Sequence, residues 1–267
     1  MAEPDYLAAI LDRKQREVAR RRAHASLRRA QVPLEPFVHS RAERAEAALG
    51  RSASGPPRVI AEIKLRSPSA GELRSRSRGV VQAVAQRYEA AGAAAVSVLC
   101  DGPGFGGSPL DLRRAAGAVE LPLLFKEFVL DPLQVSLARE LGASMVLLIV
   151  RALEGGRLGA LIEEVQRQGM APVVEAADDA ELDRALESRA RIVGVNARDL
   201  RTFRVDPDKA RRALARIPGD RIAVHMSGIT SADDFERVAQ SRADAVLVGG
   251  TLMRAADPGA RLRELLA

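Results

Sequence analysis

Eight short apolar segments recur along the chain from residue 58 onward. They are rich in β-branched residues, and most lack the polar–apolar alternation of a half-exposed strand. Continuous apolar runs of this length are typical of parallel strands that are buried on both faces. The pattern predicts strands at residues 58–63, 94–99, 122–126, 145–150, 172–175, 192–196, 222–226 and 245–248.

The segments between these strands carry a helical repeat. One helix face, for example, is formed by apolar residues at positions i, i+3, i+4 and i+7: Val81, Val84, Ala85 and Tyr88. Glycines stand where a left-handed C-cap would end a helix just before the next strand: Gly92, Gly142 and Gly169. Pro258 fits the first turn of the last helix.

Eight strand–helix units within residues 58–267 match a (β/α)8 TIM barrel in number and in total size. The structural alternative is a doubly wound open sheet, which usually has fewer strands and a glycine-rich turn after the first strand. Here the first strand is followed by the segment KLRSPS at residues 64–69. The sequence therefore predicts an α/β protein, a (β/α)8 barrel with an additional N-terminal helical extension.

The barrel pattern is preceded by residues 1–57. They predict a helical extension and a Ser/Gly/Pro-rich link at residues 51–57, packed on the barrel of residues 58–267 within a single domain. The arginine-rich stretch 13–29 could also be a nucleic-acid arm. Because glutamate, valine and alanine interleave with the arginines and no aromatic residue accompanies them, an amphipathic helix is favoured. We expect no nucleic-acid partner.

Composition excludes several other classes. No stretch of eighteen uncharged apolar residues is present, so we expect no membrane span. The first six residues include two acids and no apolar run, unlike a secretory signal. Cys100 is the only cysteine, which excludes an intrachain disulfide, and we expect it to be a small packed residue in a cytoplasmic protein. His24, His39 and His225 are far apart in sequence, so no metal site is expected. His225 should face away from the side chains of its strand neighbours Val224 and Met226, as a packed or hydrogen-bonded histidine.

Polar and charged side chains cluster where strands are predicted to end, which is where (β/α)8 barrels place their active residues. Glu62 and Lys64 close the first strand, and their i, i+2 spacing points both to the same side. Lys126, Glu175 and Asn196 end the third, fifth and sixth strands. Lysine is rare in this arginine-rich chain, and unlike arginine it can release a proton. Two lysines at one barrel mouth therefore predict a catalytic site.

Glycine pairs follow the last two strands. Ser227-Gly228 follows the seventh strand and Gly249-Gly250 the eighth. Many barrels bind phosphate there through backbone N–H groups, and glycine permits the close approach. A phosphorylated substrate is therefore predicted.

The ends of the first, second, third and sixth predicted strands lie within segments that resemble the indole-3-glycerol-phosphate synthase family. The similar segments are IAEIKLRSPS at 60–69, SVL at 97–99, FGGS at 105–108, LFKEF at 124–128 and VGVNARDL at 193–200. The resemblance covers essentially the whole chain. It implies a lyase of tryptophan biosynthesis that acts on 1-(2-carboxyphenylamino)-1-deoxyribulose 5-phosphate and releases carbon dioxide and water. It implies no cofactor, because rearomatisation drives the decarboxylation.

The resemblance also implies roles for particular residues. Lys126 would be the general acid that protonates the carbonyl oxygen, with Glu175 as its acid/base partner. Lys64, held by Glu62 and Asn196, would bind the substrate carboxylate and take part in dehydration. Substrate would be bound by Ser67, Phe105, Phe128, Arg198, Ser227, Gly228, Gly249 and Gly250. Among these, Ser67 and the glycines would bracket the phosphate, and the two phenylalanines would hold the anthranilate ring. Two neighbouring ammonium groups are expected to lower each other's pKa.

The chain departs from the family pattern at Met226, where a glutamate is usual, and at Glu127, Phe125 and Leu65. We expect Met226 to lie in the substrate pocket. Two alternatives follow from it: a paralogue that acts on a substituted anthranilate derivative, or a barrel that binds a phosphorylated ligand without turnover. Independently of Met226, a phosphoribosylanthranilate isomerase is a further alternative, disfavoured by the two lysines and by the extra N-terminal helix. The expected oligomeric state is a monomer or weak homodimer.

Overall fold

Eight parallel strands form the centre of the molecule. The computed structural model describes residues 6–25, 40–51, 55–68, 70–199 and 204–267. Each strand pairs with its neighbours in chain order, and the last pairs with the first, so the sheet closes into a barrel. The strands are β1 (Arg58–Ile63), β2 (Ala95–Leu99), β3 (Leu123–Lys126), β4 (Met145–Ile149), β5 (Ala171–Ala176), β6 (Ile192–Asn196), β7 (Ile222–Met226) and β8 (Ala245–Val248). The prediction of a (β/α)8 barrel is confirmed.

Four strands have the predicted bounds, and the others differ by one residue at one or both ends. The structure begins β3 after Pro122, which has no N–H to donate to a neighbouring strand. It ends β4 before Val150, where a 3₁₀ turn begins (Val150–Ala152). Such differences come from local chemistry at strand ends and leave the register unchanged.

Helices precede the barrel strands and connect them. In the described part of the chain they are α1 (Tyr6–Ala25), α2 (Ser40–Leu49), α3 (Val80–Ala90), α4 (Gly102–Phe105), α5 (Pro109–Ala116), α6 (Pro132–Glu140), α7 (Arg157–Arg167), α8 (Asp179–Glu187), α9 (Pro207–Ala215), α10 (Ala232–Ala239), α11 (Gly250–Arg254) and α12 (Pro258–Leu266). The three predicted capping glycines have positive φ, and Pro258 begins α12. A short hairpin pairs Arg66–Ser67 with Gly71–Glu72.

Two buried apolar layers surround the strands. The outer layer lies between strands and helices and includes Val84 and Tyr88, as the helical repeat predicts. The inner layer fills the barrel and includes Ile60, Leu124 and Val173. Because both faces of the strands are buried, the eight segments are almost continuously apolar in sequence.

The two N-terminal helices contact opposite ends of the barrel. Arg51, just after α2, donates a hydrogen bond to the carbonyl oxygen of Ala243, which precedes β8. Lys14 of α1 instead reaches Glu127, which follows β3. The side chain of His24 and residues His39, Ser69 and Leu200 lie outside the described part. No helix within that part has the length and apolarity to cross a membrane.

Candidate active site

A cavity opens at the carboxyl end of the barrel, between the strand ends and the turns that follow them. Every predicted catalytic and binding residue lies on its wall: Glu62, Lys64, Ser67, Phe105, Lys126, Phe128, Glu175, Asn196, Arg198, Ser227, Gly228, Gly249 and Gly250. The topology explains this convergence, since the carboxyl ends of all eight parallel strands meet at one end of a barrel.

Four charged side chains form the centre of the cavity. Lys64 Nζ lies 2.7 Å from Glu62 Oε2, as the i, i+2 spacing predicts. Lys126 Nζ lies 3.6 Å from Glu175 Oε2 and 3.9 Å from Glu62 Oε1. Both glutamates are buried, whereas Lys126 keeps 16% of its side chain exposed. The ammonium of Lys126 is therefore held between two carboxylates and is still accessible to a bound molecule.

The carboxylates govern the protonation of Lys126. Burial alone would lower the pKa of Lys126, but the negative charges of Glu175 and Glu62 outweigh it and raise that pKa above its ordinary value. Burial would raise the pKa of Glu62, but the charges of Lys64 and Lys126 lower it. The expectation that the neighbouring ammonium group lowers the pKa of Lys126 is therefore wrong. It left out the two carboxylates, Glu175 and Glu62, that lie within 4 Å of Lys126 Nζ.

Asn196 contacts Glu175 rather than Lys64. Its Nδ2 donates to Glu175 Oε1 at 3.0 Å, and its Oδ1 accepts from the N–H of Arg198 at 3.0 Å. The expectation that Asn196 holds Lys64 is therefore wrong for this structure. The neighbouring strands β5 and β6 explain the contact, because they bring the two side chains together at their ends. Asn196 instead orients the carboxylate beside Lys126.

Two aromatic rings form the apolar part of the wall. The ring centroids of Phe105 and Phe128 are 6.2 Å apart, and the planes are tilted by 35°. Phe105 ends the short helix α4, whose N-terminus is capped by the buried carboxylate of Asp101. These rings can contact the faces or edges of an aromatic group next to the lysines.

Backbone turns after β7 and β8 form another part of the wall. Ser227 and Gly228 have φ values of 70° and 88°. Gly249 lies against Glu62: a Cβ added there would overlap Glu62 Oε2 and lie 3.1 Å from Glu62 Cβ. Glycine at 249 thus permits the turn to approach the carboxylate that holds both lysines.

Gly249→Ala is expected to lower kcat about tenfold, because Glu62 must move and displacements of about 1 Å at a reacting centre have effects of that order or larger. The measurement is kcat on purified protein, with Gly219→Ala as the control because a Cβ at Gly219 meets nothing within 4 Å. Unchanged turnover in Gly249→Ala would show that Glu62 does not need its present position.

A buried ionic cluster connects α1 to this site. Lys14 Nζ lies 2.8 Å from Glu127 Oε2 and 3.3 Å from Asp101 Oδ1. Burial raises the pKa of Glu127 to about 7, although Lys14 opposes the shift. Glu127 directly follows Lys126, and Asp101 caps the helix that carries Phe105. Sequence reasoning missed this cluster, although the rarity of lysine was a signal at Lys14.

Comparison with known proteins identifies the family. The sequence model for indole-3-glycerol phosphate synthase matches residues 7–265. The chain belongs to the indole-3-glycerol phosphate synthase family. It is 41% identical to "Indole-3-glycerol phosphate synthase" of Opitutus terrae, covering 99% of each chain. It is 46% identical to "Indole-3-glycerol phosphate synthase 2" of Streptomyces coelicolor, covering 78% of this chain and 80% of the relative.

Solved structures with a similar fold are more distant. A 3-hexulose-6-phosphate synthase aligns with a TM-score of 0.61 and 18% identity, covering 79% of this chain and all of that one. An N-acetylmannosamine-6-phosphate 2-epimerase from Clostridium perfringens aligns with a TM-score of 0.58 and 12% identity, covering 73% and 86%. At these identities the likeness shows the barrel fold alone.

The structure does not place Met226 where we expected. Its side chain is 1% exposed, belongs to the inner apolar layer and does not line the cavity. It packs over Gly194 of the neighbouring strand: a Cβ there would overlap the methyl group of Met226 and lie 2.9 Å from its sulfur. The expectation that Met226 lies in the substrate pocket is therefore wrong. The substituted-anthranilate and non-catalytic alternatives both rested on it.

Gly194→Ala is expected to destabilise this synthase-family protein by about 1–3 kcal/mol, the usual cost of overpacking a filled core. Adding Met226→Val should recover part of the loss, because the shorter side chain leaves room for the new methyl group. Urea unfolding of both variants measures this. A double variant no more stable than Gly194→Ala alone would show that Met226 does not fill that space.

A second residue missed by sequence reasoning is Arg254, at the end of α11. It lines the cavity, and its Nη1 would lie 3.4 Å from a Cβ placed on Gly250. The charge of Arg254 adds to burial in lowering the pKa of Arg198. Two guanidinium groups thus stand at the glycine-turn side of the cavity. The described residues include no cluster of three or more histidine, cysteine or acidic side chains that could hold a metal ion.

Proposed function

We propose that this chain converts 1-(2-carboxyphenylamino)-1-deoxyribulose 5-phosphate to indole-3-glycerol phosphate, carbon dioxide and water. The observation that carries the proposal is the position of Lys126 between Glu175 and Glu62, at the mouth of a barrel of the synthase family. The reaction needs a proton donor at the carbonyl oxygen, and a lysine whose pKa is raised remains protonated at neutral pH.

In the first step, the ring carbon that bears the carboxylate attacks the ribulose carbonyl carbon. A carbon–carbon bond forms, and the carbonyl electron pair moves to oxygen, which takes the proton from Lys126 Nζ. An ammonium placed there both stabilises the developing negative charge and donates the proton. The carboxylate then leaves as carbon dioxide, and the electrons of its bond restore the aromatic ring.

In the second step, the new hydroxyl group leaves as water. Lys64 assists its departure, a base removes the neighbouring proton, and the double bond of the indole forms. Glu175 is suited to the acid/base role, because it is buried beside Lys126 and Asn196 fixes one of its oxygens. Glu62 holds Lys64 at 2.7 Å and thereby sets its position. No step requires a metal or an organic cofactor.

Substrate binding divides the cavity by charge and polarity. Phe105 and Phe128 hold the anthranilate ring, with its carboxylate on Lys64. The phosphate binds at the opposite side, where the residues able to contact it are Ser67, Arg198, Ser227, Gly228, Gly249, Gly250 and Arg254. A dianion near two guanidinium groups and the backbone N–H groups of glycine turns gains strongly in electrostatic energy.

Helix α1 belongs to the same functional unit as the barrel. Its contacts with Glu127 and Asp101 support a single domain in which α1 orders the mouth of the barrel of residues 58–267, with residues 1–57 as the N-terminal extension. The protein acts on this small molecule as a cytoplasmic monomer or weak homodimer, without nucleic acid or membrane.

Product analysis tests the reaction. Purified protein incubated with the substrate is expected to release carbon dioxide and indole-3-glycerol phosphate in equal amounts, measured by headspace analysis and by chromatography against authentic standard. The isomerase alternative predicts no carbon dioxide, and a binding protein without turnover predicts neither product.

A further inference from the structure

The turn after β7 contains a strained residue. Among the described residues, Ser227 is the only one other than glycine with a positive φ, at 70°, and Gly228 follows with 88°. A left-handed conformation is unfavourable for a residue with a Cβ, so surrounding contacts must maintain it. Ser227 and Gly228 both line the cavity.

His225 makes such a contact from the outer face of β7. Its Nε2 lies 2.9 Å from the carbonyl oxygen of Ser227, and the side chain is only 3% exposed. Because a carbonyl oxygen can only accept, Nε2 carries the proton. Nδ1, the acceptor atom of the neutral ring, is buried and has no hydrogen-bond partner among the described residues, so no group is present there to accept a hydrogen bond from a second ring proton. Burial lowers the pKa of His225, which keeps the ring neutral.

We propose that His225 is a positioning residue whose Nε2–H holds the Ser227 carbonyl and so keeps the Ser227–Gly228 turn in the conformation that receives the substrate phosphate. The identity of the anion rests on the proposed function, whereas the restraint on the turn does not. The bond spans only two residues, so it acts directly on the peptide whose conformation is strained.

Replacing His225 separates this role from simple packing. His225→Leu removes the donor, and His225→Gln keeps an N–H at about the same distance from the backbone. We expect His225→Leu to raise KM about tenfold with kcat changed less than threefold, and to weaken thermal protection by inorganic phosphate to a similar degree. We expect His225→Gln to recover most of both effects. Equal behaviour of the two variants would overturn the proposal in favour of packing alone.

Hydrogen exchange at the turn gives a readout that needs no substrate. The peptide containing Ser227–Thr230 should exchange faster in His225→Leu than in the unsubstituted protein or in His225→Gln. Val146→Ala, buried on the outer face of β4, is the control for general destabilisation and should leave this peptide and KM unchanged. Faster exchange in His225→Leu, together with no thermal protection of the unsubstituted protein by phosphate, would support the restraint on the turn and contradict the proposed function. Normal turnover of the unsubstituted protein, together with unchanged exchange in His225→Leu, would support the proposed function and contradict the restraint.

Discussion

Lys126→Ala is expected to lower kcat at least about a hundredfold, the usual contribution of a positioned general acid. Lys126→Arg should lose about as much, although it keeps the positive charge. The reason is that a guanidinium does not release its proton in a protein, whereas the ammonium held near Glu175 and Glu62 can. The measurements are steady-state kcat and the single-turnover rate with 1-(2-carboxyphenylamino)-1-deoxyribulose 5-phosphate. The single-turnover rate separates the chemical step from product release.

The matched control is Lys209→Arg, because Lys209 lies on α9 and bonds the carbonyl oxygen of Ala177, outside the cavity. It should keep its turnover. Near-normal kcat in Lys126→Arg would mean that electrostatic stabilisation alone suffices and that the acid is another group. Since the pKa of Lys126 is raised, kcat should fall only as pH rises above the ordinary lysine range, where Lys126 loses its proton.

Gly250→Asp is expected to raise KM at least about thirtyfold. Two unit charges 4 Å apart interact by about 4 kcal/mol at an effective dielectric constant of 20, and even half of that repulsion corresponds to about this change. The new carboxylate would also pair with Arg254, whose Nη1 would lie 3.4 Å from the added Cβ. Steady-state kinetics and thermal protection by inorganic phosphate measure the loss.

Gly250→Asn separates charge from size, because it is nearly isosteric and neutral. If the phosphate binds at this turn, Gly250→Asn should raise KM much less than Gly250→Asp. Equal effects of the two variants would mean that the added bulk, and not repulsion of an anion, impairs binding. A KM unaffected by Gly250→Asp would place the phosphate elsewhere.

The barrel, and the convergence of the candidate site residues at its mouth, were predictable because the signal lies in the strands and at their carboxyl ends. β1, β6, β7 and β8 were predicted residue for residue, since runs buried on both faces are continuously apolar. The residues at their carboxyl ends converge in any closed parallel barrel. The hydrogen-bond partner of each side chain could not be predicted in this way. Asn196 donates to Glu175, a contact that depends on side-chain packing and that sequence spacing alone does not determine.

Long-range and interior details were missed for physical reasons. Lys14 and Glu127 are 113 residues apart, and no local pattern links a helix surface to a loop at that separation. Met226 was misplaced because a residue at a strand end can point into the cavity or pack below it. Its packing depends on Gly194, a neighbour supplied by the adjacent strand.

Indole fluorescence tests the central claim most directly. The chain contains no tryptophan, so the protein contributes no indole emission of its own to the signal of the product. We predict that the purified protein given 1-(2-carboxyphenylamino)-1-deoxyribulose 5-phosphate produces a steady increase in indole emission, and that Lys126→Ala at the same concentration produces almost none. Emission from the unsubstituted protein no greater than that of Lys126→Ala would contradict the assignment of synthase activity to this site.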